Sequence, residues 1–174
     1  RYEALGTDRK VYAYVAGTNQ DITPIRSTDA LVNAISTTTS SNIITITDTA
    51  HGATKGDFIT LSSVSTAVAG IPAATLDAEY EILSITNTNA YTIQSSATAN
   101  ANTGPTANCT INYQLNIGPS VQTFGFGWGA GNWNAGTWNT PRTTSQITLD
   151  ARLWSINNWG EDLIITQKDG GTYE

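Results

Sequence analysis

The strongest constraint on this chain is a repeated local pattern. Short runs of β-branched or aromatic residues alternate with Thr, Ser or Glu, and turn-forming stretches such as Ala50–Asp57 and Asn87-Thr-Asn89 separate them. Ile43-Ile-Thr-Ile-Thr47, Phe58-Ile-Thr-Leu-Ser62, Glu79-Tyr-Glu-Ile-Leu-Ser-Ile85, Ala90-Tyr-Thr-Ile-Gln94 and Cys109-Thr-Ile-Asn-Tyr-Gln-Leu115 all show it. Period two sends alternate side chains to opposite faces, so each run reads as a strand with one buried and one wet side. The expected fold is all-β and antiparallel.

Three stretches differ in texture. Residues 1–28 read as a meander: Tyr2-Glu-Ala-Leu-Gly6, Lys10-Val-Tyr-Ala-Tyr-Val-Ala16, a turn at Gly17-Thr-Asn19, then Asp21-Ile-Thr-Pro-Ile25 with Pro24 at an edge or strand end. Residues 29–115 read as a small β-sandwich or barrel, with a single helical turn over Asp29–Ile35 and a mobile surface loop over 95–108, which lacks large side chains. Residues 116–174 hold all five Trp residues, an extended piece over Ile147–Ile156, a turn over Asn157–Asp162 and a closing strand. The first and third stretches resemble propeller blades, which predicts an inserted middle domain whose two ends lie close together near Arg26 and Asn116. Roughly 40–115 is expected to fold alone. At the end, Asp169-Gly-Gly171 supplies a hairpin turn and Tyr173 starts a further strand. The partners of these outer strands are expected in residues outside this sequence or in another chain, as in a piece of a larger structural protein.

Charged residues make up only 13 % of the chain, and the net charge is −6. Ordinary soluble domains carry about 25 %. Low charge suits a protein that covers its surface with neighbours, and 39 % hydrophobic content argues against disorder. No Lys/Arg cluster offers a grip on phosphates, although an acidic surface suits a conduit through which DNA slides without sticking. No apolar run approaches a membrane span in length.

Chemistry-bearing residues are sparse. His51, the sole histidine, falls in a His-Gly turn where a structural role is expected. Asp77, Glu79 and Glu81 read as one solvated strand face, with Tyr80, Ile82 and Ser84 opposite; Glu161 and Asp162 form the other carboxylate pair. Cys109 reads as a small buried apolar residue. The Gly-rich run from Gly125 to Gly136 lacks the Lys-Ser/Thr ending of a phosphate loop. Asn108-Cys-Thr110 matches a glycosylation acceptor, with no secretory signal to support it. No catalytic, cofactor-binding or metal-ligating residue is therefore assigned. Trp128, Trp133 and Trp138 lie five residues apart, a spacing that matches neither helix nor strand. They are the candidate site, either capping a core or plugging an intersubunit seam, or else forming a glycan-binding ladder.

Four elements occur in order along the chain: Leu5-Gly-Thr-Asp-Arg-Lys-Val-Tyr-Ala-Tyr with Asp21-Ile-Thr-Pro-Ile25; Ala50-His-Gly-Ala with Gly56-Asp-Phe58; Gly127-Trp-Gly-Ala-Gly with Trp133; and Leu153-Trp-Ser with Asn158-Trp-Gly-Glu-Asp-Leu163. This series resembles the tail nozzle, or packaged-DNA stabilisation (tail tubular), proteins of short-tailed bacteriophages. The resemblance implies a non-enzymatic virion protein of the phage tail, bearing a propeller and assembled as a ring, expected to be a hexamer of identical subunits. Its implied partners are an adaptor or other tail proteins and the genomic DNA that passes through the ring, with no small-molecule substrate and no cofactor. The alternatives are a capsid decoration protein and a receptor- or glycan-binding tail module.

Overall fold

The computed structural model describes residues 2–118, 153–159, 162–168 and 171–173. Apart from one helical turn, the regular structure of these residues is all strand, arranged in antiparallel sheets, so the chain is all-β. It divides into two compact units, residues 23–117 and residues 1–22 with 118–174.

The chain opens with β1 (Tyr2–Gly6), β2 (Val11–Val15) and β3 (Thr18–Asp21), hydrogen-bonded in that order. Thr7 tightens the first turn, because its hydroxyl oxygen accepts the Lys10 amide at 2.9 Å and the Arg9 amide at 3.2 Å. The second turn is Ala16-Gly17, both at positive φ (51° and 91°), one residue earlier than the turn expected at Gly17–Asn19. Two consecutive positive-φ residues are what a two-residue hairpin loop requires, and this frees Thr18 and Asn19 for β3. Lys10 is buried beside the meander, its ammonium 2.6 Å from the Asp21 carboxylate.

Residues 23–117 contribute β4 (Ile25–Leu31), β5 (Ile35–Thr37), β6 (Ile43–Thr47), β7 (Phe58–Ser62), a one-turn helix α1 (Ala73–Leu76), β8 (Glu79–Glu81), β9 (Ser84–Asn87), β10 (Ala90–Gln94), β11 (Thr103–Thr106) and β12 (Cys109–Gln114). They form a sandwich of a five-stranded sheet, β11-β5-β6-β10-β9, and a four-stranded sheet, β4-β12-β7-β8. One core lies between the sheets. Ile35, Ile44, Ile46, Tyr91 and Ile93 come from the first sheet, and Ile59, Leu61, Ile111 and Tyr113 from the second. The alternation visible in the sequence is what aims these residues inward.

Several segments differ from the expectation. Asp29–Ile35 is not a helical turn: β4 runs to Leu31 beside β12, and Asn33 turns the chain at φ 51° into β5. Residues 95–108 are not merely a loop, since β11 pairs with β5 and Ala99 and Ala107 are buried. Small side chains there let the backbone lie close against the core. Glu79–Ile85 is two strands, because β8 bonds to β7 whereas β9 bonds to β10 in the opposite sheet. Because β4 belongs to the sandwich, the unit spans 23–117 where 29–115 was expected. Its ends lie side by side, with the Leu115 amide donating to the Pro24 carbonyl at 3.0 Å.

The last described elements are β13 (Trp154–Trp159), β14 (Asp162–Gln167) and β15 (Thr172–Tyr173), again a three-stranded meander. Asn157 and Asn158 lie within β13 opposite Ile164 and Leu163, instead of opening a turn.

Candidate functional site

Trp128, Trp133 and Trp138 lie outside the described residues, as does Glu161. Of the other residues singled out from the sequence, Asp162 lies in the other unit, and the rest are either buried in the sandwich or on its surface.

His51 belongs to the first group. Its Nδ1 accepts the Ala53 amide at 3.0 Å, so its Nε2 carries the proton and donates to the Asn87 carbonyl at 3.2 Å. The ring meets Tyr91 edge-on, with centroids 5.0 Å apart. Both nitrogens are engaged in holding loops together, which is a structural role.

Tyr91 continues inward. Tyr113 donates to Asp48 Oδ2 at 2.6 Å, and its oxygen accepts from the Tyr91 hydroxyl at 3.0 Å. Burial is the main cause that pushes both phenols above their ordinary range. The Arg26 guanidinium lies over the Tyr113 ring, 5.0 Å from its centroid, and donates to the His51 carbonyl. Asp48, Arg26 and Asp57 escaped the sequence reading. The side chains that Asp48 and Arg26 meet lie tens of residues away, and Asp57, although it stands in the Gly56-Asp-Phe58 element, also binds Asn116 and Ile117 some 60 positions on. Asp57 is 1 % exposed and accepts four hydrogen bonds, from the Thr54 amide and hydroxyl, the Asn116 side chain and the Ile117 amide. It ties the far end of the sandwich to the β6–β7 connection.

Cys109 is buried, and burial pushes its thiol up to about 11, with Asp48 and Asp77 adding to the shift. A thiol held neutral in this way is a poor nucleophile. Asp77 accepts the Val64 amide at 2.9 Å just after α1, while Glu79 and Glu81 are exposed on either side of buried Tyr80. These carboxylates stay on one solvated edge, and Asp162 is exposed in the other unit. Among the described residues, no three His, Cys, Asp or Glu side chains come together to hold a metal ion.

The surface that stands out is in the first meander. Its register places Glu3, Leu5, Tyr12, Tyr14, Asn19 and Asp21 on one face, and Ala4, Gly6, Val11, Ala13, Val15, Thr18 and Gln20 on the other. The second face is covered at its Gly6 end, where Val11 is fully buried and the Trp154 indole packs on Gly6, while Val15 at the other end is 37 % exposed. The large side chains point outward, leaving Leu5 60 % and Tyr14 48 % exposed. Leu5 and Tyr14 thus form a pair of exposed large apolar side chains on adjacent strands of this sheet. Nothing in the alternation of β2 alone shows which face is covered, because Tyr and Val are equally good strand formers.

No family model and no curated protein matches the chain. Among solved structures, a phage phi92 endosialidase matches at 16 % identity and a TM-score of 0.44, over 66 % of this chain and 18 % of that one. The chain therefore spans less than a fifth of that protein's length, and so slight a likeness bears on neither activity nor substrate.

Proposed function

We propose that the chain is a non-catalytic structural subunit of a short phage tail, of the nozzle or tubular kind. In this reading copies of it assemble with one another and with adaptor or other tail proteins around a passage for packaged DNA. The observation that carries the reading is the exposed face of the first meander, where Leu5 and Tyr14 are open to a neighbour. The ordered series of motifs supplies the kind of assembly, with blade-like meanders completing a propeller. The net charge of −6 suits a wall that does not grip DNA.

The test is position and copy number in purified particles, by quantitative mass spectrometry and cryo-electron microscopy. A handful of copies at the tail supports the reading. A count equal to that of the major coat protein would make this a decoration protein. A tryptophan fluorescence shift on adding host oligosaccharide, without ring formation, would make it a glycan-binding module. Substituting Tyr14→Asp, on an exposed strand position, should block assembly while leaving the circular dichroism spectrum unchanged.

A further inference from the structure

The sandwich is electrically lopsided. The four-stranded sheet carries Arg26, Asp29, Glu79 and Glu81, whereas β5, β6, β9, β10 and β11 contain no charged residue at all. The surrounding sequence is equally bare: residues 30–47 and 82–141 include no Asp, Glu, Lys or Arg. On the outward side of the five-stranded sheet, Ser36, Thr45, Thr92 and Ser84 stand in one row across four adjacent strands. The Ser84 and Thr92 hydroxyls are 2.7 Å apart. Ile43, 37 % exposed, flanks the row together with exposed Thr47 and Gln94.

Soluble proteins ordinarily intersperse charges over such a face, about 25–35 % of surface residues. Sheet edges too are commonly guarded by charge or proline. Here β11 carries Pro105, but β9 has neither guard. We propose that this charge-free face docks a second copy of the same chain. Copies bearing −6 each repel one another, and they approach most easily through the face where no charge is set against charge. Hydroxyls both donate and accept, so a row of them is complementary to itself under a two-fold rotation. The outward positions of β5, β6, β9 and β10 hold no aromatic ring to stack on a sugar and no base to hold a phosphate. From strand spacing and rise the footprint is about 400 Å², roughly half of what one partner contributes to a standard stable interface. This contact is therefore weak alone and adds to others in a closed assembly. It rests on the charge distribution, independently of the phage reading and of the meander's outward face.

The full chain provides the test, because Cys109 is buried and an engineered thiol is then the one that reacts. Ser84→Cys places a thiol on the charge-free face, and Glu79→Cys places a control thiol on the other sheet. A short bismaleimide should give several-fold more covalent dimer with S84C than with E79C. Adding Thr45→Glu, or the more exposed Gln94→Glu if circular dichroism shows that T45E unfolds, should abolish the excess. Equal cross-linking at both positions, no dimer at either, or an S84C dimer indifferent to the added carboxylate overturns the proposal. Each of these failures leaves the particle copy number free to support or refute the tail reading.

Discussion

The Trp154 indole lies where the side chain of residue 6 would begin. A Cβ on Gly6 would stand 2.5 Å from Trp154 Cδ1, and the indole N–H donates to the Thr7 carbonyl at 2.7 Å. The two chain-terminal meanders are thus fastened at a point where only glycine leaves room.

Gly6→Ala should destabilise the unit by about 1–3 kcal/mol through overpacking. Trp154→Phe should cost about 1 kcal/mol for the lost hydrogen bond. In the double mutant Gly6→Ala/Trp154→Ala the two losses should be clearly less than additive, because the second change removes the clash made by the first. Chemical denaturation followed by tryptophan fluorescence measures all three.

Tyr113→Phe and Tyr91→Phe remove the same atom with different consequences. Tyr113 is the donor to Asp48, so its loss strands a buried carboxylate oxygen and should cost about 2–3 kcal/mol. Tyr91 only feeds the Tyr113 oxygen, and its loss should cost about 1 kcal/mol. Equal shifts in the denaturation midpoint would contradict this direction of the hydrogen-bond chain.

Alkali should unfold the sandwich early. Cys109 rises from 9.0 to about 11, and Tyr80, Tyr91 and Tyr113 rise above 10.0, mainly through burial. The folded state keeps protons that the unfolded chain releases. The stabilisation is therefore complete below about pH 9 and is lost as pH climbs through the folded values. Each group steepens the decline by about 1.4 kcal/mol per pH unit within its window. Cys109→Ala should flatten the first part of the curve, between pH 9 and about 11, in urea melts at stepped pH.

Asp57→Ala deletes the acceptor for the Ile117 amide and the Asn116 side chain. A loss of about 2–4 kcal/mol is expected from several hydrogen bonds to one buried carboxylate. Limited proteolysis should then cut near Asn116 sooner than in the unaltered protein. Asp57→Asn keeps part of the acceptor capacity and should fall between the two.

Residues 23–117 should fold alone and melt cooperatively, since their core is their own. Residues 40–115 should not, contrary to the expectation from alternation. That truncation removes β4 and β5, stripping β12 of one neighbour and β6 of another. Calorimetry on both fragments decides the point.

β6, β7, β10 and β12 were legible because their alternation is strong and their partners are long enough to enforce it. β4 was hidden because Asp29-Ala-Leu-Val-Asn-Ala suits a helical turn as well as a strand, and pairing with β12 settles the choice. β11 was hidden because Thr-Gly-Pro-Thr has weak strand propensity, and it is held at the edge by β5. The structural role of His51 followed from its place in a turn, whereas the identity of its partners did not.

By itself, the sequence determined that this is an antiparallel β protein with little charge and few groups able to do chemistry, since those properties reside in local periodicity and composition. Tertiary structure alone decided that Glu79–Ile85 is divided between two sheets, that Asp48 is held by a tyrosine 65 positions away, and that the meander leaves Leu5 and Tyr14 exposed. Burial and pairing between distant segments are set by the whole chain's packing, and a two-residue period is the same whichever face turns inward.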